Sequence, residues 1–369
     1  MKKKINSLYI HIPFCKSICP YCDFFKVLKN EDFENKYIEE LIKDIHIIKK
    51  NFLRFKTIYI GGGTPSALSI GNLEKLLMET TGMHLKNYEF TIECNPEDIT
   101  IDKLKLFKKY GINRISLGVQ SFNTSTLNSL NRNYNINYQE LIKLIKLYID
   151  NISLDFIYGL PNETLKDIDN NLERFLSLDV NHISLYSLTV NKNTYFYNQG
   201  IKEISQDLSR EYYDLICKKL KKANYIHYEV SNFAKKGFES KHNLNYWYDQ
   251  NYIGVGVGAS GYINDTRYTV FKILTEYLKG ERKIFQEKID IKIHKEEFIM
   301  LGLRLKSGIN LNDYKKIFNQ DFLIEYKDLI RKLTKEKLIN ICNNRLKCTY
   351  DGMVIQDKII IDFFDYITK

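Results

Sequence analysis

Six short runs rich in β-branched and aromatic residues constrain this chain more than any other feature. They read "LYIHI", "TIYIGGG", "YEFTIEC", "RISLGV", "ISLDFIYG" and "HISLYSLTV", spread from Leu8 to about Leu188. Helix-like stretches separate them at Glu31–Lys50, Gly71–Thr80, Ile101–Lys109, Tyr138–Tyr148 and Thr164–Ser177. Strands that alternate with helices call for a parallel sheet, because a parallel neighbour is reached only through a long crossover. That sheet is either an open doubly wound one or a barrel; six such units in a row, with polar residues at the ends of several strands, favour within the α/β class a barrel or partial (β/α)6 TIM-like barrel.

The remainder of the 369 residues suffices for a second unit. A helix is expected near Ser205–Lys222 and a short strand near Tyr225–Glu229, which closes a barrel region at 1–230. Residues 231–290 change character, becoming rich in aromatics and glycine ("HNLNYWYDQNYIGVGVGASGY"), and read as a connecting region. From 291 to 369 helical patterns dominate, in "KEEFIMLGLRLKSG", "NLNDYKKIF" and Phe322–Glu336, and predict a small, mainly helical C-terminal domain of winged-helix type.

Three of the seven cysteines are packed into "YIHIPFCKSICPYCDFF" as C-x₃-C-x₂-C: Cys15, Cys19 and Cys22. Cys94, Cys217, Cys342 and Cys348 are scattered. Such a trio in a reducing compartment points to metal binding rather than to a disulfide framework. Zinc would need a fourth ligand, which His11 or Asp23 could supply. A [4Fe–4S] cluster held by three thiolates instead leaves one iron open to a further ligand, and so accounts for the missing fourth cysteine.

Polar motifs follow the successive strands. The glycines of "IGGGTP" (Gly61, Gly62, Gly63, then Thr64) let backbone approach a ligand, and their amides can meet a carboxylate. Glu93 ends the third run and can accept hydrogen bonds from ribose hydroxyls. Gln120 ends the fourth, Arg132 lies in "LNRNY", and Asp155 sits inside "LDFIYGLP". Each alone is equally a surface or capping residue; together they place polar groups on one barrel rim, where such folds keep their sites.

The cysteine motif, with Tyr21 before its third cysteine, resembles the radical S-adenosylmethionine (SAM) superfamily. "LYIHIPFCKSICPYCDF", "GGGTPS", "LGVQSF", "DFIYGLP" and "HNLNYW" are together similar to the oxygen-independent coproporphyrinogen III dehydrogenase family, and within it to the HemW-type haem chaperones. The resemblance implies a [4Fe–4S] cluster on Cys15, Cys19 and Cys22, with SAM on its open iron. It implies SAM contacts at Tyr9, Gly62, Gly63, Thr64, Glu93, Gln120, Arg132 and Asp155. Two departures favour the chaperone branch: Phe24 stands where the dehydrogenases have another cysteine, and Cys15 lies near the start, without their amino-terminal extension. His242, heading "HNLNYW", is the haem contact the resemblance implies, with Tyr246 and Trp247 against the porphyrin face. The other reading of His242 is an imidazole that anchors its loop on the barrel. No catalytic residue is assigned. The competing activities are oxidative decarboxylation of coproporphyrinogen, driven by reductive cleavage of SAM, and radical SAM chemistry on an unrelated substrate.

The net charge of +10 is spread in lysine pairs with one denser run, "KKLKK", and reads as solvated helix faces; no nucleic-acid motif accompanies it. No apolar run reaches the length of about 18 residues that spans a bilayer. The start, "MKKKINSLYIHIPFC", has no long apolar core or cleavage site, so a cytoplasmic protein is expected. The resemblance implies haem and client haemoproteins as partners, respiratory-chain cytochromes among them, and is compatible with peripheral membrane association and a homodimer.

Overall fold

The computed structural model describes residues 4–51, 54–132 and 134–367. Six parallel strands form its centre: β1 (Ser7–Ile12), β2 (Phe55–Gly62), β3 (His84–Cys94), β4 (Arg114–Gln120), β5 (Asn151–Tyr158) and β6 (His182–Ser187). They lie side by side in chain order, each joined to the next by a helical crossover. The crossover helices are α1 (Glu31–Asn51), α2 (Ile70–Glu79), α3 (Ile101–Lys109), α4 (Tyr138–Lys146) and α5 (Leu165–Ser177), and α6 (Gln206–Lys222) follows β6. All six starts and stops expected from sequence fall within a few residues of these elements. Side-chain caps set the helix starts: Ser69, Thr100 and Asn137 each accept an amide of the first turn. Thr164 and Asp167 complete a reciprocal capping box.

Among the described residues the sheet does not close. Past β6 it continues into the antiparallel β8 (Asn232–Ala234) and β7 (Ile226–His227). Past β1 it continues through β9 (Tyr252–Val255), parallel to β1, and then through the antiparallel β10 (Ser260–Ile263), β11 (Thr266–Val270) and β12 (Ile284–Lys288). Residues 252–288 therefore extend the barrel sheet itself. The open barrel and helical C-terminal region have the architecture expected from sequence.

Strand alternation decides what each face does. In β4 to β6, Ile115, Leu117, Ile152, Leu154 and Ile183 are buried among helix residues such as Leu104, Phe107, Ile142 and Phe175. The intervening residues, Arg114, Ser116, Ser153, Asp155, His182 and Ser184, line a cavity on the other face. A polar interior is thus written into the period of two.

The "HNLNYW" segment is helical, α7 (Lys241–Trp247), capped by Ser240. It sits at the start of the strands, where Ser7, Thr57 and Glu89 stand in register across β1, β2 and β3. From α8 (Ile291–Arg304) onward a second core gathers Ile299, Leu303, Tyr314, Phe322, Tyr326 and Phe363. Its short helices flank a three-stranded antiparallel sheet of Ile309–Asn310, Arg345–Cys348 and Ile339–Cys342. It meets the barrel through a bridge between Glu229 and Leu305, and through the pairs Arg210–Asp351 and His294–Asp249, at 2.9 and 2.8 Å.

Among the described residues, no helix is long and apolar enough to cross a membrane.

Candidate functional site

The loop after β1 carries the three cysteines, and the second strand's glycines hold it. Gly63 N–H donates to Ile12 O (2.7 Å) and Thr64 N–H to Phe14 O (2.8 Å). Val27 N–H returns to Pro13 O (2.8 Å), so the loop is clamped at both ends. A Cβ on Gly63 would lie 2.8 Å from the Pro13 carbonyl carbon and 3.0 Å from Cys15 Sγ. Gly62 has φ +118°, and a Cβ there would meet the His11 ring at 2.4 Å. Only glycine allows this approach. Lys16 reaches from the loop to Asp98, and Phe196 N–H donates to Pro20 O (3.0 Å), pinning its far side.

All three thiols are free and line one cavity of about 510 Å³, within the range of about 300–1,000 Å³ common for small-molecule sites. Burial pushes the Cys15 thiol up to about 11, and that of Cys22 also upward. The neighbouring cysteine sulfurs add to both shifts, while Thr64 Oγ1, 3.5 Å from Cys15 Sγ, opposes the first. A bound cation would reverse that penalty. No group of three or more His, Cys, Asp or Glu among the described residues converges as a single-ion site requires. His11 uses both ring nitrogens, toward Tyr9 Oη (3.0 Å) and Phe25 O (3.1 Å), and Asp23 accepts from Asn191 Nδ2 (2.7 Å). Thiols set apart on one loop suit the separate corners of a cluster.

Gly62, Gly63, Thr64, Glu93, Gln120, Arg132 and Asp155 line the same cavity. Glu93 accepts from Tyr59 Oη–H (2.8 Å) and Gly62 N–H (2.9 Å). Burial nevertheless lifts its carboxyl to about 7, with Asp155 adding to the rise. Asp155 accepts from Ser116 (2.7 Å) and Ser153 (3.2 Å), and burial raises it as well. Gln120 stands in the left-handed region at φ +66°, on a bulge between Gly118 and Gln120 that re-aims its side chain. Arg132 donates through Nη1 to Gly118 O (2.8 Å), but its buried Nε finds no partner among the described residues. A buried guanidinium donor left free is ready for an anion.

Tyr9 and His242 stand outside the lining. The Tyr9 ring packs on Tyr59 at 6.1 Å. His242 is 1% exposed beneath the cavity, and burial holds its imidazole far down, at about 3. Thr57 Oγ1 donates to Ser7 Oγ (2.8 Å), so it accepts from His242 Nδ1–H (2.8 Å). Nε2, the remaining nitrogen, then accepts from Tyr246 Oη–H (2.7 Å). Both ring nitrogens are engaged, so in this conformation His242 has the partners that the loop-anchoring reading expects. Trp247 follows it at the end of the same helix, and the Tyr246 ring packs edge-on to Tyr252 at 4.6 Å.

Sequence reasoning missed Tyr59 and the polar floor of Arg114, Ser116, Ser153, His182 and Ser184. The signal that could have found them is the repeat of polar residues at every second position of β4 to β6.

Residues 9–175 match the model of the radical SAM superfamily, and 294–355 that of the HemN C-terminal domain. The heme chaperone HemW of Lactococcus lactis is 39% identical over 98% of this chain and 98% of that relative. HemW of Bacillus subtilis is 34% identical over 96% and 98%. The solved coproporphyrinogen III oxidase HemN of Escherichia coli superposes with a TM-score of 0.85, covering 99% of this chain and 91% of that one. At 21% identity it shows the shared fold. Near full-length identity of this order, joined to the motif-bearing cavity, settles the family: the chain belongs to the HemW family of the radical SAM superfamily.

Proposed function

We propose that this protein is a haem chaperone that binds haem, together with a SAM-coordinating [4Fe–4S] cluster, and hands haem to client haemoproteins. The observation that carries the reading is the 39% identity to a heme chaperone HemW across 98% of both chains. Phe24 supports it: 67% exposed at the cavity mouth, it occupies the position where the dehydrogenase branch places a cysteine. Respiratory-chain cytochromes are the expected clients, reached from the cytoplasm. In an anaerobic assay, cluster-loaded protein is expected to bind haem stoichiometrically and to leave coproporphyrinogen III unconverted. Turnover to protoporphyrinogen IX would replace this reading with the dehydrogenase one.

Cys15, Cys19 and Cys22 would hold the cluster, and Thr64 Oγ1 would donate to the Cys15 sulfur. A cluster of this type supplies an open iron and an electron when SAM is bound. The chain's own residues bind and orient SAM. Arg132 Nε, without a partner among the described residues, offers a donor to its carboxylate. Glu93 and Asp155 accept from its hydroxyl groups. The Gly62–Gly63 backbone admits it to the cluster edge.

Glu93→Gln and Asp155→Asn are expected to keep their iron while binding SAM about tenfold more weakly, as loss of a charged acceptor implies. Unchanged affinity in both would remove them from the site. The pH dependence has a definite sign. With a carboxyl raised to about 7, folded protein holds more protons at Glu93 than the unfolded chain does, between the ordinary carboxylate range and about 7. This group's contribution to stability is therefore lost as pH rises through that window. SAM, which is bound by the anion, should bind more tightly from about pH 6 to about pH 8, and Glu93→Gln should flatten that rise.

A further inference from the structure

The first three strands stack their inward residues in layers. Ser7, Thr57 and Glu89 form the lowest; Tyr9, Tyr59 and Thr91 the next; His11 and Gly61 follow, with Glu93 two positions beyond Thr91 on β3. Helix α7 is fastened to the lowest layer. Glu89 accepts from His242 N–H (2.9 Å) with one oxygen and from Lys241 N–H (3.0 Å) with the other. Thr57 and Tyr246 fix both ring nitrogens of His242, so the imidazole has one orientation. That ring stacks on Tyr59, with centroids 5.0 Å apart and planes 28° apart. Tyr59 in turn aims its hydroxyl at Glu93 Oε1. Among the described residues two donors hold Glu93, and this is one of them.

We propose that α7 aims the SAM site from below, with His242 the positioning residue that sets Glu93 through Tyr59. Without the imidazole, the phenol ring can tilt into the vacated space and its hydroxyl leaves Oε1. A second connection from the same helix reaches the other carboxylate. Ser240 N–H, at the α7 cap, donates to Tyr228 Oη (3.2 Å). Tyr228 Oη lies 2.7 Å from His182 Nε2, and His182 Nδ1 lies 2.7 Å from Ser153 Oγ. Since Ser153 donates to Asp155, it accepts from His182 Nδ1–H, which leaves Nε2 to accept from Tyr228. Ser240 and Asn243 themselves line the cavity, so α7 is also part of its floor.

The inference rests on Glu93 being a SAM ligand, and it gives the "HNLNYW" segment a role beyond haem. Any ligand that takes His242 Nε2 must first displace Tyr246 and loosen the stack. Occupancy of α7 and of the SAM site is therefore coupled, and the coupling is reciprocal.

The test is equilibrium dialysis of labelled SAM against anaerobically reconstituted full-length protein, with iron content measured in parallel. His242→Ala is expected to bind SAM about tenfold more weakly with its iron retained, the loss expected for a misaligned hydrogen bond to a charged group. The double variant with Glu93→Gln should bind no more weakly than Glu93→Gln alone, because both changes act through one carboxylate. Purely structural damage would not produce that non-additivity. Wild-type affinity in His242→Ala, or additive losses in the double variant, overturns the proposal. Wild-type protein that binds no SAM overturns the SAM reading instead. Should His242→Ala fail to fold, Tyr246→Phe, which deletes only the hydroxyl on Nε2, is held to the same two criteria.

Discussion

Serine at Cys15, Cys19 or Cys22 is expected to abolish cluster binding outright, whereas serine at Cys94 leaves it intact. The three loop thiols face one cavity, and the clamp from Pro13 to Val27 fixes the loop that carries them. A serine hydroxyl is a far weaker ligand for iron than a thiolate, and two thiolates leave a cluster corner exposed. Cys94 also lines the cavity, but it does so from the end of β3. Burial pushes its thiol well above the ordinary range, and Sγ points toward Ile92 O at 4.0 Å. It is a core residue at the cavity wall. Anaerobic reconstitution followed by iron and sulfide analysis and visible absorbance gives the answer. Loss of the cluster in Cys94→Ser, or its retention in any of the other three, would mean the site is drawn on the wrong residues. A stable fold is expected throughout, because none of the three loop cysteines is part of the barrel's apolar core.

The parts of this molecule that could be read from sequence are those set by short-range patterns. The β/α alternation placed six strands and their helices because a helix carries its apolar face, and in α2 to α5 also its cap, within a short stretch of sequence. The cysteine trio and the glycine run were readable because spacing alone limits what they can hold. Two features were not readable for the same reason in reverse: they depend on register between distant strands. Tyr59 matters because β2 pairs with β1 and β3 in one particular register, which puts its hydroxyl beside Glu93. His242 was expected at a ligand face because a histidine among aromatics suits one. Its partners Thr57 and Glu89 lie more than 150 residues away in sequence, and only the fold brings them under the ring. The imidazole's chemistry was visible, but whether its nitrogens were already in use was not.

Alanine at Gly63 is expected to cost the protein its cluster while the barrel still folds. A methyl group there would sit 2.8 Å from the Pro13 carbonyl carbon, 2.9 Å from its oxygen and 3.0 Å from Cys15 Sγ. Two of these neighbours are backbone, clamped by Val27 N–H and by the start of the cysteine loop, so they cannot rotate away as a side chain could. The loop has to move, and Cys15 moves with it. Gly62→Ala acts by a different route. Its φ of +118° is strained for any L side chain, at a cost of roughly 1–3 kcal/mol, and its Cβ would drive into the His11 ring at 2.4 Å. Displacing that ring breaks its bonds to Tyr9 and to Phe25 O, the residue that closes the cysteine loop on its far side. Far-ultraviolet circular dichroism should therefore stay near wild type in both variants while bound iron falls several-fold, with Gly62→Ala the less thermostable of the two. Gly71→Ala is the control, since a Cβ there meets nothing within 4 Å. If Gly63→Ala assembles a full cluster, the close approach of the second strand to the cysteine loop is not what holds the site in shape, and the clamp at Val27 alone must do so.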